Sequence, residues 1–134
     1  MTIRISSKLR DQLLALAAAS PDREVCGLLF GDDREISAIT PAINVAARPA
    51  DSFEIDPATL IAAHKAMRAG GPTLIGCYHS HPNGVAVPSA RDEEAMAALG
   101  WIWLIIAGHD MVLWRLIGAV AHEVPLRVST IPRN

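Results

Sequence analysis

Two histidines, His79 and His81, stand one residue apart at the end of an apolar run over residues 73–78. Alternate side chains of a strand leave the same face, so residues two apart project together about 6.6 Å along the backbone, and both imidazoles can turn toward one ion. A catalytic zinc site needs three protein ligands and an open position, and two histidines with one carboxylate is an established set. Asp92 supplies the carboxylate. The proline- and glycine-containing stretch 80–88 lets the chain fold back, which brings the first turn of the next helix to the ion. Neutral His79 and His81 with an ionised Asp92 leave a zinc site net positive, so the metal keeps its Lewis acidity and lowers the pKa of bound water toward about 7. A lone strand histidine is usually structural, but two at strand spacing followed by this aspartate are not explained by packing. Asp92 could also interact with the helix amino terminus, and Ser89 could act as its N-cap; both roles are compatible with a site.

The elements that must carry these residues can be read from periodicity. Ser7 caps a helix with Leu9, Leu13, Leu14, Ala17 and Ala18 on one face, ended by Pro21. Residues 25–30 and 35–40 form a hairpin around the turn Gly31-Asp32-Asp33. Residues 41–51 are mostly loop, with a short strand near 43–45, and 52–55 are extended. Asp56 followed by Pro57 opens a second helix with Leu60, Ile61, His64 and Met67 on one face, stopped by Gly70-Gly71. The strand 73–78 leads to the loop 80–88. Ser89-Ala90-Arg91-Asp92 has the form of a capping box with aspartate in place of glutamate, and Gly100 ends that third helix. Strands over 101–107 and 111–117 follow, joined by Gly108-His109-Asp110, and a last strand-like segment, 119–128, is interrupted by Pro125. The order α, β, β, β, α, β, α, β, β, β predicts an α/β fold, one mixed sheet flanked by helices.

Bulk composition narrows the function. A chain of 134 residues, 51% of them hydrophobic, can bury one core, so residues 1–134 are expected to form a single domain. Twelve basic against fourteen acidic residues, net charge -2, provide no footprint for nucleic acid. The first ten residues lack a secretory pattern, and the longest apolar stretch, 101–107, is far short of the about 20 residues a membrane helix needs. A cytoplasmic protein is expected. Cys26 and Cys77 make no disulfide framework; either could be a ligand by type, but each lies in an apolar strand pattern where a free thiol packs as a small hydrophobe. His64, His109 and His122 read as structural or exposed, and Trp101, Trp103 and Trp114 as core and edge packing. No spacing requires a dimer.

His79-Ser80-His81-Pro82 followed by Ser89-Ala90-Arg91-Asp92 resembles the signature of the JAMM/MPN+ metalloprotease family. So do Glu24-Val25-Cys26-Gly27-Leu28-Leu29-Phe30-Gly31 upstream and Phe53-Glu54-Ile55-Asp56-Pro57 before the second helix, and the similarity spans roughly residues 1–118. By charge statistics alone Glu24 would be a solvated residue. The resemblance implies zinc ligands His79, His81 and Asp92. It also implies that Glu24 takes a proton from the attacking water and passes it to the leaving amine, and that Ser89 hydrogen-bonds the oxyanion. It implies a cytidine-deaminase-like mixed sheet as well. Small prokaryotic members imply hydrolysis of an amide or isopeptide bond at the C-terminal tail of a ubiquitin-like or sulfur-carrier protein. The alternatives are a non-catalytic MPN protein-binding scaffold, which typically lacks the zinc ligands present here, a RadC-like protein associated with DNA repair, and a peptidoglycan or phage-tail peptidase. Against the RadC-like reading stand the Glu24 segment and the acidic balance.

Overall fold

The computed structural model describes residues 1–130; the last four residues of the expected domain 1–134 lie outside the described residues. The elements run β1 (Ile3–Ser6), α1 (Ser7–Ala18), β2 (Cys26–Gly31), β3 (Glu35–Ala42), α2 (Pro57–Arg68), β4 (Leu74–Ser80), α3 (Ala90–Leu99), β5 (Ile102–Ala107), β6 (Asp110–Ile117), β7 (Val120–Val124) and β8 (Leu126–Ser129). The strands make one mixed sheet in the order β7-β6-β5-β4-β2-β3-β1-β8, with parallel pairs β4/β5, β1/β3 and β1/β8 and antiparallel pairs elsewhere. Strands β7 and β8 lie at opposite ends of that order, yet Pro125 alone joins them. Consecutive Cα atoms are only about 3.8 Å apart, so the sheet must curl until its two edges meet at this proline. The Pro125 carbonyl accepts from Ile3 N–H at 3.0 Å, extending the β1/β8 ladder back to this proline.

Burial follows the pleat. In β2, Leu29 packs with Ile3, Ile5, Ile36 and Leu104 and with Leu13 of α1, whereas Leu28 and Phe30 join Ala63 of α2 and Leu74. A third small core holds Cys77, Met96 of α3 and Trp103. Helix α1 thus covers one face, and α2 and α3 the other. Full burial of Leu28 and Leu29 contributes about 1.5–3 kcal/mol each, and explains why β2 reads as continuous apolar sequence.

Several boundaries differ from the sequence reading. Strand β1 is additional to the expected elements: Ile3 and Ile5 alternate with polar residues, but so short an alternation makes a strand only where neighbours pair with it, and β3 and β8 do so on either side. Ser6, not Ser7, caps α1, accepting from Leu9 N–H, and the helix closes at Ala18 before Pro21. The expected strand near 43–45 is a single bridge between Asn44 and Ile55. Pro125 splits the terminal segment into strands on opposite sheet edges. Asp56 and Ser89 cap α2 and α3 as read, and Gly100 ends α3 with φ of 65°. Among the described residues no helix is long and apolar enough to cross a membrane.

Candidate metal centre

Strand β4 delivers the histidines. Cys77, His79 and His81 leave the sheet on the face shared with α2 and α3, and His79, paired with Cys26 on one side and Ile105 on the other, is fully buried. The ring stacks on Phe53 with centroids 4.3 Å apart and meets Trp103 edge-on at 5.7 Å. His81 follows the last residue of the strand, its amide still donating to the Ile106 carbonyl of β5 at 2.8 Å. Its Nδ1 lies 2.8 Å from the Val85 carbonyl, and since a carbonyl only accepts, that nitrogen carries the proton and Nε2 presents a lone pair.

Asp92 arrives with α3. The capping box is complete: Ser89 Oγ accepts from Asp92 N–H and Asp92 Oδ2 accepts from Ser89 N–H, each at 3.0 Å. The same Oδ2 lies 3.1 Å from His79 Nε2 and 3.0 Å from His81 Nε2, and the two imidazole nitrogens are 2.9 Å apart. Three donor atoms therefore surround one point. Tetrahedral zinc with bonds of about 2.0–2.1 Å wants neighbouring ligands about 3.3 Å apart, so the trio fits it with a few tenths of an ångström of expansion. Without a cation or shared proton among them, three lone-pair atoms at this spacing repel.

Glu24 reaches the same place from 55 residues upstream. The antiparallel register Cys26↔His79 sets Val25 opposite Ser80, where Val25 N–H donates to Ser80 Oγ (2.9 Å) and Ser80 N–H to the Val25 carbonyl (3.0 Å). One step further out, Glu24 faces His81, and a Glu24 carboxylate oxygen and one nitrogen of each histidine all lie within 4.8 Å of one another. Its backbone is pinned on both sides, by the Pro49 carbonyl at 2.7 Å and by Asn44 Nδ2 at 2.9 Å.

Asn44 falls within the short strand expected near 43–45, and the sequence assigns it no part in the site. Its amide donates to the Glu24 and Ser52 carbonyls and its Oδ1 accepts from Ala46 and Glu54 N–H, so all four hydrogen-bonding positions are used. It links Glu24 to the two neighbours of Phe53, the residue stacked on His79. Only its place before the Phe53-Glu54-Ile55 segment could have signalled it.

The electrostatics separate the four groups. Burial raises the Glu24 carboxyl from its ordinary 4.5 to about 7, Asp92 and Asp51 adding to the rise and His81 and Arg91 opposing it; its buried Oε1 has no partner among the described residues. Burial likewise lowers the His79 imidazole, outweighing Asp92, and keeps it neutral. His81 is also pulled down by burial, but the bonds to Asp92 and the Val85 carbonyl prevail and raise it. For Asp92 burial is overcome by the two histidines, which hold it well below the ordinary carboxylate range. Cys26 and Cys77 are free, buried thiols pushed upward by burial, and neither joins the cluster. Ser89 is exposed at the rim, and a pocket of about 390 Å³ lined by Phe53, Leu60, Ile61, Trp101 and Trp103 opens beside Asp92. His64, His109 and His122 are not among the grouped ligands.

Fold and site together define the class: an α/β domain with two histidines and an aspartate gathered at the end of a central strand and a buried glutamate facing them across the sheet. The chain belongs to the family described as prokaryotic homologs of the JAB domain, whose model matches residues 6–117. It is 38% identical over 109 residues to a desampylase of Haloferax volcanii, spanning 77% of this chain and 78% of that one. It is 41% identical over 64 residues to a probable TtuB-protein conjugate cleaving protease of Thermus thermophilus, covering 48% of this chain and 43% of that relative. The crystal structure of a JAB1/MPN domain protein from Archaeoglobus fulgidus superposes with a TM-score of 0.64 at 21% identity, covering 94% and 98% of the two chains.

Proposed function

We propose that this chain is a single-domain, cytoplasmic zinc peptidase that hydrolyses an amide or isopeptide bond at the C-terminal tail of a ubiquitin-like or sulfur-carrier protein. The observation that carries the reading is the convergence of His79 Nε2, His81 Nε2 and Asp92 Oδ2 within 3.1 Å of one another. These three residues are assigned as the zinc ligands. Zinc, when bound, supplies Lewis-acid activation of water and of the scissile carbonyl.

The chain's own residues do the rest. Glu24, with a pKa raised to about 7, takes the proton of the attacking water and returns it to the leaving amine, since a base near the working pH serves in both directions. Ser89 Oγ already accepts from Asp92 N–H, which leaves its hydroxyl proton to donate to the developing oxyanion. Phe53 and Trp103 exclude water from one side of His79, and the apolar pocket beside Asp92 receives part of the extended tail. The desampylase and conjugate-cleaving relatives support a protein conjugate as substrate. The cytoplasmic placement is supported by two free thiols.

The test is cleavage of a carrier-protein conjugate by the zinc-loaded protein, with and without chelator, beside Glu24→Gln. Chelation is expected to stop cleavage, and the variant to keep stoichiometric zinc while losing at least about a hundredfold in turnover. Undiminished turnover in the variant, or cleavage indifferent to metal removal, would sink the reading.

A further inference from the structure

The stretch joining His81 to Ser89 is exposed over most of its length, including Pro82, Asn83, Gly84, Val85 and Val87. Its own bonds are short-range: Gly84 N–H donates to the His81 carbonyl at 3.1 Å, Val85 N–H to Asn83 Oδ1 at 2.9 Å, and Gly84 turns the chain at φ of 80°. Pro88 is buried and anchors the far end of the stretch by packing, but nothing within the turn itself fixes the exposed residues 82–85 against the sheet. Yet the Val85 carbonyl has to remain beside His81 Nδ1 if Nε2 is to keep its lone pair free.

Among the described residues, one hydrogen bond ties residues 82–88 to another element. Trp114 Nε1–H, on β6, donates to the Ala86 carbonyl at 3.0 Å. Trp114 is itself a firm anchor, paired across the sheet with Trp103 and packed against the small core of Cys77, Met96 and Trp103.

We infer that Trp114 is a positioning residue for the metal centre: its indole N–H holds Ala86, and so keeps the adjoining Val85 carbonyl where it sets the tautomer and orientation of His81. Trp114 touches no reacting atom. A half-buried indole usually finds an acceptor, but packing alone does not require that acceptor to sit in the turn between two ligands. The inference rests on the proposed metal centre.

Two variants separate tether from packing. Trp114→Phe retains the ring and removes the donor; Leu116→Ala, two residues along the same strand and packed on the same small core, disturbs packing and leaves the bond intact. Zinc affinity is measured by competition with a chromophoric chelator, and exchange of the His81 Nδ1 proton by NMR of the metal-free protein. Trp114→Phe is expected to weaken zinc binding about fivefold, the equivalent of one neutral hydrogen bond, and to speed His81 proton exchange. Leu116→Ala is expected to lower the thermal midpoint and leave both readouts unchanged. A folded Trp114→Phe protein with wild-type affinity and exchange overturns the inference, as does an equal loss of both in Leu116→Ala. Faster exchange in Trp114→Phe, with a wild-type protein that binds no zinc, sustains the tether and removes the metal-centre reading instead.

Discussion

Replacing Glu24 by glutamine should stabilise the metal-free protein, and do so only at higher pH. The carboxyl is 5% exposed and its Oε1 has no partner among the described residues. Burial raises its pKa from 4.5 to about 7, so between those values the folded protein holds a proton that the unfolded chain has released. Stability then falls as pH rises through that window, and the loss is complete above the folded value. At 1.36 kcal/mol per tenfold change in ionisation, the ionised carboxylate costs about 3 kcal/mol by pH 8 and under about 1 kcal/mol at pH 5. Glutamine has the same shape and no charge. Denaturant unfolding in the presence of chelator should therefore show Glu24→Gln more stable than wild type by about 2–3 kcal/mol more at pH 8 than at pH 5. Titrating groups remote from Glu24 are common to both proteins and cancel in this double difference, whereas His81, which the Glu24 charge raises, contributes a smaller coupled change. An advantage of the same size at both pH values would refute the idea that burial of this carboxylate is what raises its pKa.

Zinc affinity should strengthen as pH rises through and above 6.5, because His81, raised by Asp92 and Val85, retains a competing proton there; chelator competition across pH checks this, and a flat profile would contradict it. Ser89→Ala should cost about 1 kcal/mol of stability through the lost N-cap and, independently, about a hundredfold or more in turnover, read by unfolding and by kinetics at saturating zinc. A stability loss with unchanged turnover would leave Ser89 a cap only. Asn44→Ala strands the Glu24 and Ser52 carbonyls and should destabilise by about 1–3 kcal/mol, with turnover falling further than zinc occupancy, since it frees Glu24 and not the ligands.

Much of this site was legible one residue at a time. His79 and His81 share a face because the strand period is two, and that relation needs nothing beyond local backbone geometry. Asp92 could be placed because Ser89 caps the helix and sets the aspartate in its first turn, where the capping box binds it. Glycine, proline and capping residues likewise marked α2 and α3, since their signals act over three or four residues. Long-range pairing decided the rest. Glu24 meets His81 only through the β2–β4 register, a relation between segments about 55 residues apart that no local pattern encodes. Asn44 lies on an isolated bridge, Trp114 holds a turn 28 residues away, and β1 exists because β3 and β8 flank it. Local sequence determines which way a side chain can point. What it points at depends on strand register and sheet curl, which arise from packing the whole chain at once.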